Sequence, residues 1–213
     1  VCLVVARHGE TVWSRPRRFA GHADVALTPR GRLQADALAA ALATLQPTAV
    51  LSSDLSRATD TASRVAHTCR VRMAVETRLR EEDVGHWQGL TDAEVARKYP
   101  IGYQRWRSGD LTKFDGREGL ASVARRAVTA VREALSTLDE PDDDTRCLVV
   151  LTHSNTAIAL MGRLLRLPPN RWLALGSLAP AHWSVLRGDG SSWRLRHHNL
   201  APQPSQPELT VAK

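Results

Sequence analysis

The chain has 213 residues, 43% of them hydrophobic and 24% charged, proportions of an ordinary globular protein that exclude a mostly disordered one. Its net charge of +7 is carried almost wholly by arginine, since Lys98, Lys113 and Lys213 are the only lysines. No apolar run approaches the roughly 20 residues of a membrane span, and Cys2, Cys69 and Cys147 are too few and odd in number for a disulfide framework.

In chain order, the apolar run 1–6 predicts a buried strand. Residues 30–45 place Leu33, Ala37, Leu38, Ala41, Leu42 and Leu45 at helical spacing, and Pro47 stops that helix. A second short strand is expected at 49–51, a helix at 54–67 and a third strand at 70–75. Residues 79–118 differ in character, being rich in Trp, Gly and charge, with helical patches near 92–99 and 103–107. They are expected to form a small helical lid or subdomain. Residues 118–138 carry the clearest amphipathic helix, with Leu120, Val123, Ala124, Ala127, Val128, Val131, Leu135 and Leu138 on one face. An acidic turn at 139–144, a fourth strand at 146–151 and a helix at 155–165 follow. A late hairpin pairs 181–186 with 193–196 around Gly188-Asp189-Gly190. Residues 201–213 hold three prolines and little apolar pattern, and are expected to be a flexible tail. Strand–helix alternation of this kind predicts an α/β three-layer sandwich with a mainly parallel central sheet flanked by helices. Residues 1–200 would be a single domain.

Ligands of open α/β sheets bind beyond the carboxyl ends of the strands. After the first strand stand Arg7, His8, Gly9, Glu10 and Thr11. After the second stand Ser52, Ser53 and, a turn into the helix, Arg57; after the fourth, Thr152, His153, Ser154 and Asn155. Two histidines and two arginines at equivalent strand ends make an anion pocket containing two imidazoles. A neutral imidazole can attack phosphorus, and arginine forks match phosphoryl oxygens.

The string Arg7-His8-Gly9-Glu10-Thr11 resembles the signature of the histidine phosphatase superfamily, which includes the cofactor-dependent phosphoglycerate mutases. The resemblance continues through Arg18-Phe19, Gly21, Asp24, Leu27-Thr28, Gly31 and Gln34-Ala35. It extends to Ser52–Ala58, to Leu79-Arg80-Glu81 with Gly85, Trp87 and Gly89, and to Val149–His153. It implies that His8 is the nucleophile, that Arg7, Arg57 and His153 hold the phosphoryl oxygens, and that Glu81 is the general acid and then the base. A carboxyl beside concentrated phosphate charge is expected to have a raised pKa. Glu82 and Asp83 are read as exposed loop carboxylates, Glu10 as structural, and Gly9 as permitting a turn close to the phosphate. Ser14 stands where the family often has Asn, and Ser154 where it often has Gly; both are candidate phosphate contacts. Arg15, Arg17 and Arg18 cluster near the first signature, and Arg15, Arg18 and Gly21 are candidates for substrate specificity. A second anionic group and a solvated basic loop explain that cluster equally well.

A short mid-chain segment without a proline run favours a phosphatase over a mutase. The expected activity is phosphomonoester hydrolysis through phosphohistidine, on a small anionic ester such as a sugar phosphate or phosphoglycerate derivative. The segments Leu79-Arg80-Glu81 and Trp87–Thr91 resemble those of bacterial sugar-phosphoglycerate phosphatases. A cofactor-dependent phosphoglycerate mutase is the alternative, and a non-catalytic phosphate-ligand or nucleic-acid binder the second. With no HExxH, no paired CxxC and no GxSxG in the sequence, neither a metal hydrolase nor a serine hydrolase is indicated. No metal, cofactor, nucleic acid or membrane is expected as a partner, a cytoplasmic location is expected, and a homodimer is left open.

Overall fold

In a computed structural model, residues 1–138 and 146–202 are described. The acidic turn expected at 139–144 and residues 203–213 of the expected tail lie outside them.

Six strands form one sheet: β1 (Cys2–Arg7), β2 (Ala49–Ser52), β3 (Arg72–Val75), β4 (Cys147–Thr152), β5 (Trp183–Gly188) and β6 (Trp193–Leu200), in the order β3-β2-β4-β1-β5-β6. The four strands from β3 to β1 run parallel, while β5 and β6 add an antiparallel edge. The sheet is therefore mainly parallel, as expected. Strands β1 and β4 are buried on both faces, so they read as unbroken apolar runs. Their side chains alternate between two cores. Leu3, Val5, Leu148 and Val150 face α5 (Leu120–Ser136) and α6 (Ser154–Leu164). Val4, Ala6, Val149 and Leu151 face α1 (Pro29–Ala43) and α2 (Ser56–Cys69). This is the predicted three-layer sandwich.

The first helix is turned relative to the sequence reading. Its buried face is Gly31, Ala35, Leu38, Ala39 and Leu42, and Leu33, expected inside, is 70% exposed. Gly31 decides the rotation: a Cβ there would lie 2.0 Å from the Glu10 carbonyl oxygen, so the helix presses its glycine against the loop after β1. The third strand starts at Arg72 rather than residue 70, because Arg70 adopts a left-handed conformation (φ 57°) that caps α2.

Residues 84–117 build a second, smaller core. Val84, Trp87, Val95 and Phe114 are buried there, packed by Phe19, Tyr103 and Trp106. Two short helices, α3 (Asp92–Lys98) and α4 (Pro100–Arg107), frame it, the first closed by a Thr91–Glu94 capping box. Gly102 has no room for a side chain, since a Cβ would sit 1.7 Å from Asp115 Oδ2. At its base Arg117 lies over the rings of Trp87 and Phe114, 4.8 and 4.9 Å from their centroids. It also makes a bidentate ion pair with Glu82 at 2.8 Å. Glu82, read from sequence as an exposed loop carboxylate, is 1% exposed, because the small core closes over it. Breaking one partner of a buried pair leaves the other charge uncompensated, at about 3–5 kcal/mol. Arg117→Ala is thus expected to lower unfolding free energy by about that much in urea titration. A loss below ~1 kcal/mol would show that water replaces the pair.

Candidate active site

The parallel register of β1 and β4 pairs Arg7 with Thr152. The next residues, His8 and His153, therefore emerge side by side, with ring centroids 5.1 Å apart at an interplanar angle of 61°. Chain direction reverses at this point, since β1 leads outward through α1 to β2 whereas β4 leads through α6 to β5. Such a switch point opens a crevice at the strand ends. A cavity of about 460 Å³ lies there, lined by Arg7, His8, Ser14, Gly21, Arg57, Glu81 and Ser154 among others, a volume suited to a small molecule.

The His8 ring is fixed by its Nδ1, which donates to the Gly9 carbonyl at 2.7 Å. That bond places the proton on Nδ1 and leaves the lone pair on Nε2. Gly9 serves by close approach rather than by a positive φ, because a Cβ on it would lie 2.3 Å from the Gly31 carbonyl oxygen. Its N–H donates to Thr61 Oγ1 at 3.2 Å, tying the loop to α2. Glu10 accepts from Thr28 Oγ1 at 2.9 Å beneath that loop.

Arg57, in the first turn of α2, is buried. It donates to the carbonyls of Ala23 at 2.7 Å and Gly21 at 2.9 Å, and through Nε to His153 Nδ1 at 3.2 Å. His153 Nδ1 is thus the acceptor nitrogen, and Nε2 donates to Ser53 Oγ at 2.9 Å. Arg7 donates to the Leu178 carbonyl at 2.7 Å, while its buried Nε has no protein partner. A fixed guanidinium with a spare buried donor is an anion seat.

Burial, and then the charges of Arg57 and Arg7, hold the His8 imidazole well below its usual pKa. Burial, Arg57 and His8 do the same to His153. The folded protein therefore keeps both rings neutral where the unfolded chain, below about pH 6.5, would protonate them. Stability is full above that pH and declines as pH falls, by up to about 1.4 kcal/mol per pH unit for each ring. Melting temperatures between pH 7.5 and 5.5 should drop in the wild type and drop less steeply in His8→Ala. An unchanged slope would mean that His8 carries its proton in the folded state.

Glu81 follows the buried Leu79 on the loop after β3. Its Oε1 accepts from the backbone N–H groups of Glu82 at 2.9 Å and Thr156 at 3.1 Å, and its Oε2 from that of Asn155 at 3.2 Å. The first turn of α6, directly after His153, thus holds the carboxylate. Arg126 of α5 fastens the same loop by donating to the carbonyls of Arg78, Arg80 and Glu81 at 2.6–2.8 Å.

The other expected residues divide. Ser14 and Ser154 line the cavity, although the Ser14 hydroxyl also accepts from the Thr11 N–H at 3.0 Å. Gly21, in a left-handed conformation (φ 49°), gives its carbonyl to Arg57. Arg18 reaches the cavity wall but is engaged, donating to the Gly89 carbonyl at 2.7 Å and to Glu94 at 3.0 Å. Arg15 points to Glu10, 4.0 Å away, and is not among the lining residues. Sequence reasoning passed over Ser53, Arg126 and Asn155 as working parts. The Ser52–Ala58 block contained the signal for Ser53; nothing in the sequence marks Arg126. Among the described residues no group of three His, Cys, Asp or Glu is placed to hold a metal ion, and no helix is long and apolar enough to cross a membrane.

The family model of the histidine phosphatase superfamily (branch 1) matches residues 3–201. The chain belongs to that superfamily. Glucosyl-3-phosphoglycerate phosphatase of Mycobacterium tuberculosis is 36% identical over 221 residues, covering 97% of this chain and 98% of the relative. A metal-independent phosphoserine phosphatase of Arabidopsis thaliana is 36% identical over 76% of this chain and 68% of its own length. The structure of a mycobacterial glucosyl-3-phosphoglycerate phosphatase with VO3 superposes with a TM-score of 0.88 at 37% identity, covering 94% of this chain and 99% of that one. Glucosyl-3-phosphoglycerate and phosphoserine phosphatases thus match along most of this chain, as does a phosphoglycerate mutase-like protein of Arabidopsis thaliana, 35% identical over 76% of it.

Proposed function

We propose that this chain hydrolyses a small phosphate monoester through a phosphohistidine on His8, with Glu81 as general acid and then base. The observation that carries the reading is the His8 Nδ1–H bond to the Gly9 carbonyl, which leaves a neutral ring with a free Nε2 lone pair within reach of the charges of Arg57 and Arg7. Nε2 attacks phosphorus and forms an N–P bond as the ester P–O bond breaks. The protonated Glu81 carboxyl gives its proton to the leaving oxygen. In the second step the Glu81 carboxylate takes a proton from water, the hydroxide attacks phosphorus, the N–P bond breaks, and inorganic phosphate and His8 are regenerated. Arg7 and Arg57 neutralise the charge spread over the phosphoryl oxygens. His153, accepting from the Arg57 Nε–H and donating to Ser53 Oγ, holds the Arg57 guanidinium in place.

The relatives favour a phosphoglycerate-type ester, with glucosyl-3-phosphoglycerate the first substrate to try and phosphoserine the second. The test is p-nitrophenyl phosphate hydrolysis in EDTA, with rapid alkaline quenching to trap an acid-labile phosphoprotein. Turnover with a trapped phosphohistidine is expected. Turnover that EDTA abolishes, or that proceeds without phosphoprotein, would overturn the mechanism.

A further inference from the structure

Glu81 stands on a loop that leaves β3, an edge strand of the sheet, and the carbonyls of Arg78, Leu79, Arg80 and Glu81 are all taken by side chains. Thr152 Oγ1 donates to that of Leu79 and Thr156 Oγ1 to that of Arg80, each at 2.8 Å. Arg126 takes the other two and shares the third. Its Nη1 donates to the carbonyls of Arg78 at 2.6 Å and Arg80 at 2.7 Å, and its Nη2 to that of Glu81 at 2.8 Å. Its remaining N–H groups go to Glu118, Nε to Oε1 and Nη2 to Oε2, both at 2.8 Å. All five donors of the guanidinium are thereby used, in a pair whose side chains are only 19% and 18% exposed. On its other side the Glu81 carbonyl accepts from His22 Nε2 at 2.9 Å.

We propose that Arg126 is a positioning residue for phosphoryl transfer: it acts through the Glu81 backbone and fixes where that carboxyl stands relative to the leaving oxygen. The inference rests on the phosphatase reading above and deepens it. A single bond would let the loop pivot, whereas a planar fork on the carbonyls of residues 78, 80 and 81 sets the path of the chain into and out of Glu81. The anchor is rigid, because α5 buries Val123, Ala127 and Val131 fully, and a group carried on a packed helix is held more precisely than one on a loop. Glu118 balances the arginine charge and also clasps the far end of the loop, its N–H donating to the Asp83 carbonyl at 2.8 Å. The Glu81 side chain is meanwhile held by the Asn155 and Thr156 N–H groups of α6. The carboxyl thus hangs between two helices, and Arg126 is the part of the clamp that grips its backbone. Lysine lacks the planar fork, so it can serve some of these carbonyls but not all of them at once.

Phenyl phosphate and p-nitrophenyl phosphate share a skeleton and differ in how much the leaving oxygen needs a proton. Their kcat/KM values, which report the steps up to the phosphohistidine, are measured for wild type, Arg126→Met, Arg126→Lys, Glu81→Gln and the Glu81→Gln/Arg126→Met double variant. Inhibition by inorganic phosphate and melting temperature are followed alongside. Arg126→Met should lower the phenyl-to-nitrophenyl ratio by about tenfold or more, the scale of a misplaced catalytic group, and leave phosphate inhibition within about twofold of wild type. Arg126→Lys should recover part of the ratio. In the double variant the second change should add less than about threefold to the first, since a residue that works through Glu81 then has nothing left to position. A merely structural arginine would instead lower the melting temperature and slow both esters alike. A ratio that falls by less than about tenfold in Arg126→Met, phosphate inhibition that weakens with it, or losses that multiply in full in the double variant would each overturn the inference. Should Arg126→Met not fold, Arg126→Lys decides by the same ratio, with a fall of less than about threefold counting against the proposal. An unchanged ratio in Glu81→Gln overturns the acid role and this inference with it; a ratio that collapses there and holds in Arg126→Met overturns the positioning role alone.

Discussion

Replacing His8 with alanine is expected to lower kcat for p-nitrophenyl phosphate by about five orders of magnitude, the scale seen when a covalent nucleophile is lost. Arg7, Arg57 and His153 stay in place in this variant, so phosphate still has its seat. What disappears is the one of the two strand-end rings whose tautomer leaves a lone pair free for phosphorus: His153 has its Nδ1 engaged by Arg57 and its Nε2 by Ser53. Because His8 is buried among groups that raise the cost of charging it, the variant should fold, with a circular dichroism spectrum like that of wild type. A loss of less than tenfold, in protein shown to be folded, would mean that the phosphoryl group reaches water without passing through His8.

The second large effect belongs to Glu81. Glu81→Gln keeps the volume but replaces one acceptor oxygen with an NH2 group. The Glu82 and Thr156 N–H groups point at one oxygen and the Asn155 N–H at the other, so one end of the amide must face a donor. Alkyl phosphates, whose leaving oxygen needs a proton, should slow by about a thousandfold. Nitrophenolate needs almost no protonation, so the first turnover with p-nitrophenyl phosphate should survive as a burst of one equivalent. Steady turnover then stalls, because no base activates water against the phosphohistidine. Stopped-flow absorbance separates the two phases. Loss of the burst and of alkyl phosphate turnover by the same factor would remove Glu81 from the acid role.

Sequence reading was strongest where local pattern and tertiary structure coincide. The apolar runs of β1 and β4 could only be strands buried on both faces, and placing histidines directly after them required no knowledge of register. Register then brought His8 and His153 together. The reading failed where burial is decided by distant packing. Leu33 has the right spacing for the inner face of α1, but contact between Gly31 and the loop after β1 turns it outward. Glu82 looks like a solvated carboxylate until Trp87, Phe114 and Arg117 close over it. Arg126 sits on α5 with nothing in its neighbours to announce three backbone carbonyls from another segment. The chemically identical Arg15, Arg17 and Arg18 are separated only by which way a turn directs each side chain.

The antiparallel edge has a consequence for how copies of this protein meet. Strand β6 closes the sheet on one side, and an open strand edge is a template on which further chains can add. Here the exposed positions include Arg194, Arg196 and His197, with Arg187 beside Arg194 on β5. A second copy approaching edge to edge would set Arg194 and Arg196 against their own counterparts, and like charges facing across a strand pair repel. Among the described residues, that charge disfavours strand addition at this edge.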